Sequence, residues 1–168
     1  METRSITAEI PMVPRMAEDP AELVPEPAEV SAALCKVTGN GSVPRSTISL
    51  VQLRAGQIAG STCLTVLRTG FLRKAGQSEE RIASVASWWA SPYFTGAERA
   101  APALVEAVLQ PSASGERVSD ALYARVAEHY EPKALATLVF AIGQVGFFTA
   151  VALVAKPVPG RSFTDPWK

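Results

Sequence analysis

The fold of this chain is decided by the stretch Leu53-Arg54-Ala55-Gly56-Gln57-Ile58-Ala59-Gly60-Ser61 and by the helical pattern around it. Between residues 45 and 75 the apolar side chains recur with helical spacing; they include Ile48, Val51, Ile58, Leu64, Leu67, Phe71 and Leu72. This spacing is typical of an amphipathic helix, and no two-residue alternation typical of a strand competes with it. Pro44 suits the first turn of a helix. We therefore predict a long helical stretch over 45–75, weakened at its three glycines.

Capping signals delimit further helices on the C-terminal side of this stretch. A short helix is predicted over 79–87, and Thr95, with Glu98 three residues later, predicts a capping box at the start of the next helix. Ser119 caps a further helix, and Pro132 begins the last one, which is apolar on nearly all its sides. Such a helix is typical of a core or an oligomer interface. The chain is therefore predicted to be all-α, with six or seven helices.

The distribution of prolines divides the chain into three parts. Residues 1–43 contain five prolines, each of which removes a backbone donor and restricts its predecessor. We expect an extended arm with at most one short helix, near Glu26–Lys36, lying across the body or across a neighbouring subunit. Residues 44–156 form the helical domain. Residues 157–168 form a polar tail that we expect to dock loosely or on a partner.

Charge and composition exclude several classes of protein. The 168 residues suffice for one domain, and sixteen basic side chains balance sixteen acidic ones, which argues against binding to nucleic acid through a basic surface. We find no apolar run of the roughly 18–20 residues that a membrane span needs. The first residues have no apolar signal core, so a cytoplasmic protein is expected.

The scarcity of cysteine and histidine limits the chemistry. Cys35 and Cys63 are too few for a disulfide scaffold, and His129 alone excludes a site of two or more histidines. The carboxylates are scattered, so no metal and no cofactor are expected. Both cysteines are interpreted as buried and inert, and His129 as an exposed cation at a helix end.

Several blocks of sequence resemble the alkylhydroperoxidase D / carboxymuconolactone decarboxylase-like family. They are residues 53–61, Ala75-Gly76, Trp88 with the segment Ser91-Pro92-Tyr93-Phe94-Thr95, and Glu98-Arg99-Ala100-Ala101. The resemblance covers about residues 44–155. It implies an all-helical bundle that assembles into dimers, trimers or hexamers.

The redox residues of that family are replaced in this chain. Its peroxidase members carry a glutamate, a C-x-x-C pair and a histidine, which an ungapped alignment places on Ser49, Ser61, Leu64 and Arg68. Cys63 falls between the two cysteine positions. A disulfide formed during peroxide turnover needs a pair of thiols in reach of each other. The family's dithiol chemistry is therefore not expected here.

The replaced positions suggest a different pocket. On one continuous helix, Gln57, Ser61, Leu64 and Arg68 would share a face. Arg68 would then take a carboxylate or enolate oxygen bidentately, and Ser61 and Gln57 would orient the ligand. We predict Arg68 and Ser61 as catalytic residues.

The substrate-binding residues predicted beside them are Gln57, Leu64, Trp88 and Phe147, the last two as an aromatic wall. The alternative is that Arg68 reaches solvent or an acidic neighbour and Ser61 is a small packing residue. Ser61 as a nucleophile is disfavoured, because a hydroxyl needs a base in reach and the only histidine, His129, is predicted at a helix end.

The favoured function is a non-redox enzyme of the lyase or isomerase type. It would decarboxylate, isomerise or cyclise a small acidic or aromatic molecule, or a polycyclic metabolite, by stabilising a developing oxyanion. A non-catalytic oligomer that binds a ligand or serves a structural role is the alternative. Residual thiol chemistry through Cys63 is the second alternative.

Overall fold

The computed structural model describes residues 13–113 and 115–161. Within these residues the chain forms α-helices, one 3₁₀ helix and no strand, so the all-α prediction is confirmed. The elements are α1 (Pro20–Leu23), α2 (Pro27–Thr38), α3 (Arg45–Ile58), α4 (Thr62–Lys74), α5 (Glu79–Ala83), a 3₁₀ helix (Ser84–Ala90), α6 (Gly96–Leu109), α7 (Asp120–Ala127) and α8 (Pro132–Val154). These α-helices exceed the predicted number because the arm adds one and the 45–75 stretch divides in two.

The prediction of one helical stretch over 45–75 is wrong at Gly60. This residue has φ of +67°, a left-handed conformation that ends α3 and favours glycine. Ser61 follows as the N-cap of α4, its side chain accepting a hydrogen bond from the Leu64 backbone N–H. The chain therefore turns back, and α4 packs against α3. The approach is close, because a Cβ at Gly56 would lie 3.1 Å from the Leu64 Cβ.

The predicted caps on the C-terminal half are confirmed. Thr95 and Glu98 form the capping box of α6, and the Ser119 side chain caps α7. Pro132 occupies the first turn of α8. These signals are local, so the sequence pattern predicts them without knowledge of the packing.

The Arg99 side chain stabilises the segment between the 3₁₀ helix and α6. Its guanidinium donates to the backbone carbonyls of Trp88 (3.4 Å), Trp89 (2.9 Å) and Phe94 (3.2 Å), and also to that of Ser91. One side chain thus satisfies four carbonyls of an irregular segment that has no helical partners for them. Residues 88–99, which carry part of the family resemblance, are therefore held together by Arg99. We call its hydrogen bonds to the four carbonyls the carbonyl clamp.

Helix α3 lies at the centre of the bundle and packs against α4, α6 and α8. The main core is built around it; among its most buried members are Val51, Ala55, Leu64, Val105, Val126, Leu138 and Ala141. A smaller core lies beneath α5 and the 3₁₀ helix and comprises Leu50, Leu53, Leu72, Ile82, Val85 and Phe94, with Trp88 packed against it. Helix α3 contributes to both cores, which fixes the two halves of the bundle relative to each other.

Helix α8 is buried on one side only. Its inner side packs against α2 and α3, whereas its outer side leaves apolar residues in solvent, including Val139, Phe140, Leu153 and Val154. The expectation that no stretch is long and apolar enough for a membrane span is wrong for α8. By length and composition alone, α8 could span a membrane. In the fold, 39% of its most apolar 18-residue window is buried. The core helix of a globular protein can be equally long and apolar, and α8 contributes residues to the main core.

The described part of the arm has two helices, one more than expected. The Asp19 side chain caps α1, and α2 runs along α8. The backbone N–H groups of Arg15 and Met16 donate to the Ala155 carbonyl. The described part of the arm therefore lies across the body of its own chain. Residues 1–12 and the last seven residues of the predicted tail lie outside the described residues.

Candidate functional site

The predicted site residues lie in several places in the fold, because the chain breaks between α3 and α4. Ser61, Leu64 and Arg68 keep their helical spacing along α4, so they remain on one side of that helix. Arg68 lies about 10 Å further along its axis than Ser61. Gln57 belongs to the preceding helix. The single face of four residues predicted from the sequence is therefore not formed.

Arg68 interacts electrostatically with Cys35, which belongs to a chain of hydrogen-bonded side chains from three other parts of the bundle. Helix α2 supplies Cys35, α3 supplies Gln52, α4 supplies Arg68 and α8 supplies Gln144. The Gln52 Nε2 donates to the Gln144 Oε1 at 2.7 Å, and the Gln144 Nε2 donates to the Cys35 Sγ at 3.5 Å. Both glutamines are buried, with exposed fractions of 2% and 3%. We call these four residues the Arg68 cluster.

The charge of Arg68 has no carboxylate partner within the described residues. The ion pairs found there belong to Arg54, Arg73 and Arg81. The Arg68 Nε is fully buried without a hydrogen-bond partner, and the guanidinium carbon lies 5.3 Å from the centre of the Phe71 ring. Burial lowers the pKa of Arg68 to about 10, an effect that the charge of the neighbouring Cys35 opposes. Arg68 therefore stays cationic at neutral pH.

Ser61 is buried and works as a helix cap. Its Oγ accepts from the Leu64 N–H at 3.3 Å, and its exposed fraction is 4%. His129 lies at the far end of the bundle, against the N-terminus of α6 at Gly96, and is exposed, as predicted. Within the described residues no histidine is available to activate Ser61. Ser61 therefore has a structural role at the start of α4.

Gln57 and Trp88 meet at a second polar cluster, around an ion pair. The Arg54 Nε and Nη2 lie 2.8 Å and 2.6 Å from the Glu106 Oε1, which also accepts from the Trp88 Nε1 at 2.8 Å. The Gln57 Oε1 accepts from Arg54 at 3.4 Å. This ion pair and its neighbours satisfy one another. Gln57 and Trp88 are thus placed to support the fold rather than beside Arg68.

The two remaining predicted residues lie apart from each other. Leu64 is a core residue with an exposed fraction of 1%, so its side chain fills space between α3 and α4. Phe147 is exposed on α8, with its ring edge-on to that of Phe148 at 5.1 Å between centres. Among the described residues its ring contact is with Phe148, whereas that of Trp88 is with Trp89.

The sequence reading missed Cys35, Gln52 and Gln144. Cys35 is exposed, which contradicts its interpretation as a buried residue, whereas Cys63 is buried as expected. Burial raises the pKa of the Cys63 thiol, which keeps it protonated and unreactive. The sequence does contain a signal for Gln144, because this polar residue lies within the mostly apolar last helix.

An open depression of about 550 Å³ lies away from the Arg68 cluster, where α3 and α6 begin and α7 meets α8. Two of its polar groups are already engaged. The Tyr130 hydroxyl donates to the Ala97 carbonyl at 2.7 Å, and Glu98 pairs with Arg81. Burial raises the pKa of Tyr130 to about 12. Within the described part of the chain, no group of three or more histidine, cysteine or carboxylate residues is arranged to hold a metal ion.

Comparisons of the sequence with protein families and with known proteins are consistent with the all-helical fold. The family model described as "Carboxymuconolactone decarboxylase family" matches residues 25–107. The uncharacterized protein YdfG of Bacillus subtilis (strain 168) is 32% identical over 133 residues, which are 79% of this chain and 88% of that protein.

Two solved structures share the fold at lower identity. A protein of unknown function from Agrobacterium tumefaciens, suggested to be an antioxidant defence protein AhpD, superposes with a TM-score of 0.78 and 23% identity. That match covers 88% of this chain and 100% of the other. A cysteine-to-alanine variant of the debrominase Bmp8, in complex with 2,3,4-tribromopyrrole, superposes with a TM-score of 0.73 and 16% identity, over 88% of this chain and 79% of the other.

Proposed function

This chain belongs to the carboxymuconolactone decarboxylase family, and we propose that it is a member that acts without a redox dithiol, on a small organic acid held by Arg68. The observation that carries this proposal is the Arg68 guanidinium, whose Nε is buried and without a partner among the described residues.

A cation in this setting favours an anionic ligand. Withdrawing a guanidinium from water costs free energy unless a counter-charge and hydrogen bonds compensate for it. Within the described residues the Arg68 guanidinium carbon lies 5.3 Å from the centre of the Phe71 ring, and no carboxylate pairs with it. A ligand carboxylate would supply two acceptors in the geometry that a guanidinium matches.

The same group suits the chemistry of a lyase or isomerase. When a carboxylate leaves as carbon dioxide, or a proton leaves the carbon beside a carbonyl, the electron pair left behind moves onto an oxygen. A fixed cation in a site with little water stabilises that oxygen more than it stabilises the substrate. Decarboxylation or isomerisation of this kind requires no electron transfer.

Dithiol chemistry is a poor match to this chain. The cysteines lie on α2 and α4, separated by 28 positions in the sequence, and each is a free thiol. The cysteine of α4 is buried, which keeps its thiolate fraction small. A carbon-centred acid–base reaction is therefore favoured over peroxide reduction.

Binding of benzoate tests the anion site. We expect calorimetry to detect benzoate but not the uncharged benzamide, and Arg68→Met to weaken benzoate binding at least about tenfold, because a charged hydrogen bond contributes roughly 1.5–3 kcal/mol. Arg73→Met is the matched control: Arg73 lies on the same helix, but it is exposed and paired with Glu79. Equal binding of benzoate by the wild-type protein and Arg68→Met would contradict the proposal.

Proton exchange separates an enzyme from a binding protein. Unsaturated lactone acids and β-keto acids incubated in D₂O are followed by NMR for exchange beside the carboxylate or for its loss. Turnover by the wild-type protein and none by Arg68→Met would support the catalytic role. Arg68-dependent binding without turnover would favour the non-catalytic ligand-binding alternative.

We also propose that the chain forms a homo-oligomer in the cytoplasm, with a second copy covering the outer side of α8. Residues 134–155 carry no charge, and the exposed side of this helix includes Ala136, Val139, Phe140, Gly143, Gly146, Phe147 and Ala150. A Cβ at Gly143 or Gly146 would meet nothing within 4 Å, although a helical glycine costs about 1 kcal/mol relative to alanine. Close approach of an identical helix gives both glycines a role, and such a face is complementary to itself.

Light scattering after gel filtration tests this assembly. We expect the wild-type protein to elute as an oligomer and Phe140→Glu to have the mass of a single chain, 17.8 kDa, because the interface would bury an unpaired charge. Tyr123→Glu, at a similarly exposed aromatic residue on α7, should remain oligomeric. A wild-type monomer, or wild-type protein recovered only with lipid or detergent, would contradict the proposal.

A further inference from the structure

The open depression at the start of α3 contains a buried hydroxyl that the fold leaves without a partner. Thr47, in the first turn of α3, lines this depression and has an exposed fraction of 4%. Its hydroxyl makes no hydrogen bond within the described residues, although the oxygen is not completely covered. Burial of a hydroxyl without a hydrogen bond costs free energy. A ligand in the depression could therefore reach this group and supply the missing bond.

Two helices begin at the depression with backbone N–H groups that no side chain caps. The N-cap residues are Pro44 for α3 and Glu131 for α8, and neither makes a side-chain capping bond. The first helical hydrogen bonds are donated by Ile48 and Leu135, so the N–H groups before them in each first turn have no helical acceptor. Such N–H groups and the helix dipole favour an anion. The third helix that begins here, α6, is already closed by its capping box.

Side-chain hydrogen bonds hold the starts of α3 and α8 together. In the loop before α3, the Asn40 Nδ2 donates to the Thr137 Oγ1 at 2.9 Å, and the Ser42 Oγ lies 2.9 Å from the same oxygen. Thr137 is buried in α8 and donates in turn to the Lys133 carbonyl at 2.8 Å. The two helix starts are therefore fixed relative to each other before a ligand arrives, which lowers the entropic cost of binding.

Charged side chains around the depression act in both directions. Lys133 makes no ion pair within the described residues, and Glu98 is neutralised by Arg81. Glu131 opposes an anion, but it is exposed, so water and salt screen its charge. The Thr47 hydroxyl is buried, so its hydrogen bond to an anion would be screened less.

We propose that this depression binds the phosphate group of a small phosphate ester. The several oxygens of a phosphate can accept from the Thr47 hydroxyl, the first-turn N–H groups and the Lys133 ammonium. The depression has a volume of about 550 Å³, which is in the range of pockets for small molecules and exceeds the needs of a phosphate ion. Its apolar lining residues, Pro44, Ala97 and Ala134, would contact the organic part of the ester. This ligand is a second one, distinct from the acid proposed for Arg68.

Calorimetry with phenyl phosphate tests the proposal, with inorganic phosphate and phenol as comparison ligands. Thr47→Val removes an unpartnered hydroxyl and keeps a similar shape, so the fold should be preserved. Lys133→Met and Glu131→Gln change opposite charges at exposed positions of the depression. The matched control is Lys36→Met, at an exposed lysine of α2 that does not line the depression. Arg68→Met removes the other proposed anion site, and circular dichroism verifies the folding of every variant.

The wild-type protein should bind phenyl phosphate at least about tenfold more tightly than inorganic phosphate, because the ring buries apolar surface. Binding of phenol should not be detectable. Thr47→Val should weaken binding of phenyl phosphate at least about tenfold, because a hydrogen bond to a charged acceptor is lost. Lys133→Met should weaken it about threefold and Glu131→Gln should tighten it about twofold. Lys36→Met and Arg68→Met should leave the affinity unchanged.

Unchanged affinity in Thr47→Val, or no binding by the wild-type protein, would overturn the proposal. Loss of binding in Arg68→Met would place the phosphate at the Arg68 cluster and would also overturn it. Equal affinities for phenyl phosphate and inorganic phosphate would overturn the assignment to an ester. If Thr47→Val does not fold, Lys133→Met and Glu131→Gln decide, and a shift of both affinities in the same direction would contradict an anion in the depression.

Discussion

Replacing Arg99 by methionine should lower the free energy of unfolding by about 4 kcal/mol, because four backbone carbonyls lose a charged donor. Methionine retains much of the aliphatic length, so the packing of the stem is largely preserved. The loss should appear as a fall of roughly 10 °C in Tm. Chemical denaturation, monitored by tryptophan fluorescence, measures it, since Trp88 and Trp89 are in the clamped segment.

A second arginine provides the control for Arg99. Arg117 donates to a single carbonyl, that of Val108, at 3.0 Å and is exposed. Arg117→Met should therefore cost less than about 1 kcal/mol. Equal destabilisation by the two substitutions would show that the carbonyl clamp contributes nothing beyond an ordinary surface contact.

Glu106→Ala should destabilise the protein by about 3 kcal/mol, because it leaves the Arg54 guanidinium without its counter-charge. It also removes the acceptor of the Trp88 indole N–H. The side chains of the pair are only 12% and 22% exposed, so water replaces these partners poorly. Urea denaturation measures the loss.

An exposed pair of the same residue types serves as the reference for Glu106. Glu79 pairs with Arg73, and their side chains are 62% and 57% exposed. Glu79→Ala should change stability by no more than about 1 kcal/mol. The double variant Arg54→Met with Glu106→Ala should recover part of the loss, because it leaves no unpaired buried charge. A double variant as unstable as the sum of the two single variants would contradict this account.

The helices and their caps could be predicted from sequence because their determinants are local. The capping box of Thr95 and Glu98 and the start of α8 at Pro132 depend on residues within one turn. The break at Gly60 was harder, since the apolar spacing continues on both sides of it. The packing of α4 against α3 decides that the chain turns at Gly60. No local sequence pattern describes this packing.

The site was only partly predictable, because tertiary contacts assemble it. Arg68 could be singled out from its position in the resemblance. Its companions Cys35 and Gln144 come from helices 33 positions before it and 76 positions after it in the sequence. Gln57, although only eleven positions from Arg68, turns to the Arg54 ion pair instead, since it lies on the other side of the break.

The backbone hydrogen bonds from Arg15 and Met16 to Ala155 have a consequence for the topology of the chain. They bring two segments from near the two ends of the described residues side by side, so the chain between residues 15 and 155 nearly closes on itself. Segments that meet in this way favour circular permutation, in which a linker joins residues near 15 to residues near 155 and new termini open elsewhere. The connection between α6 and α7, residues 110–119, offers an opening away from the Arg68 cluster. In a chain with its N-terminus there, the ribosome would synthesise α7 and α8 first and α6 last. The order of synthesis would change while the folded bundle stays the same.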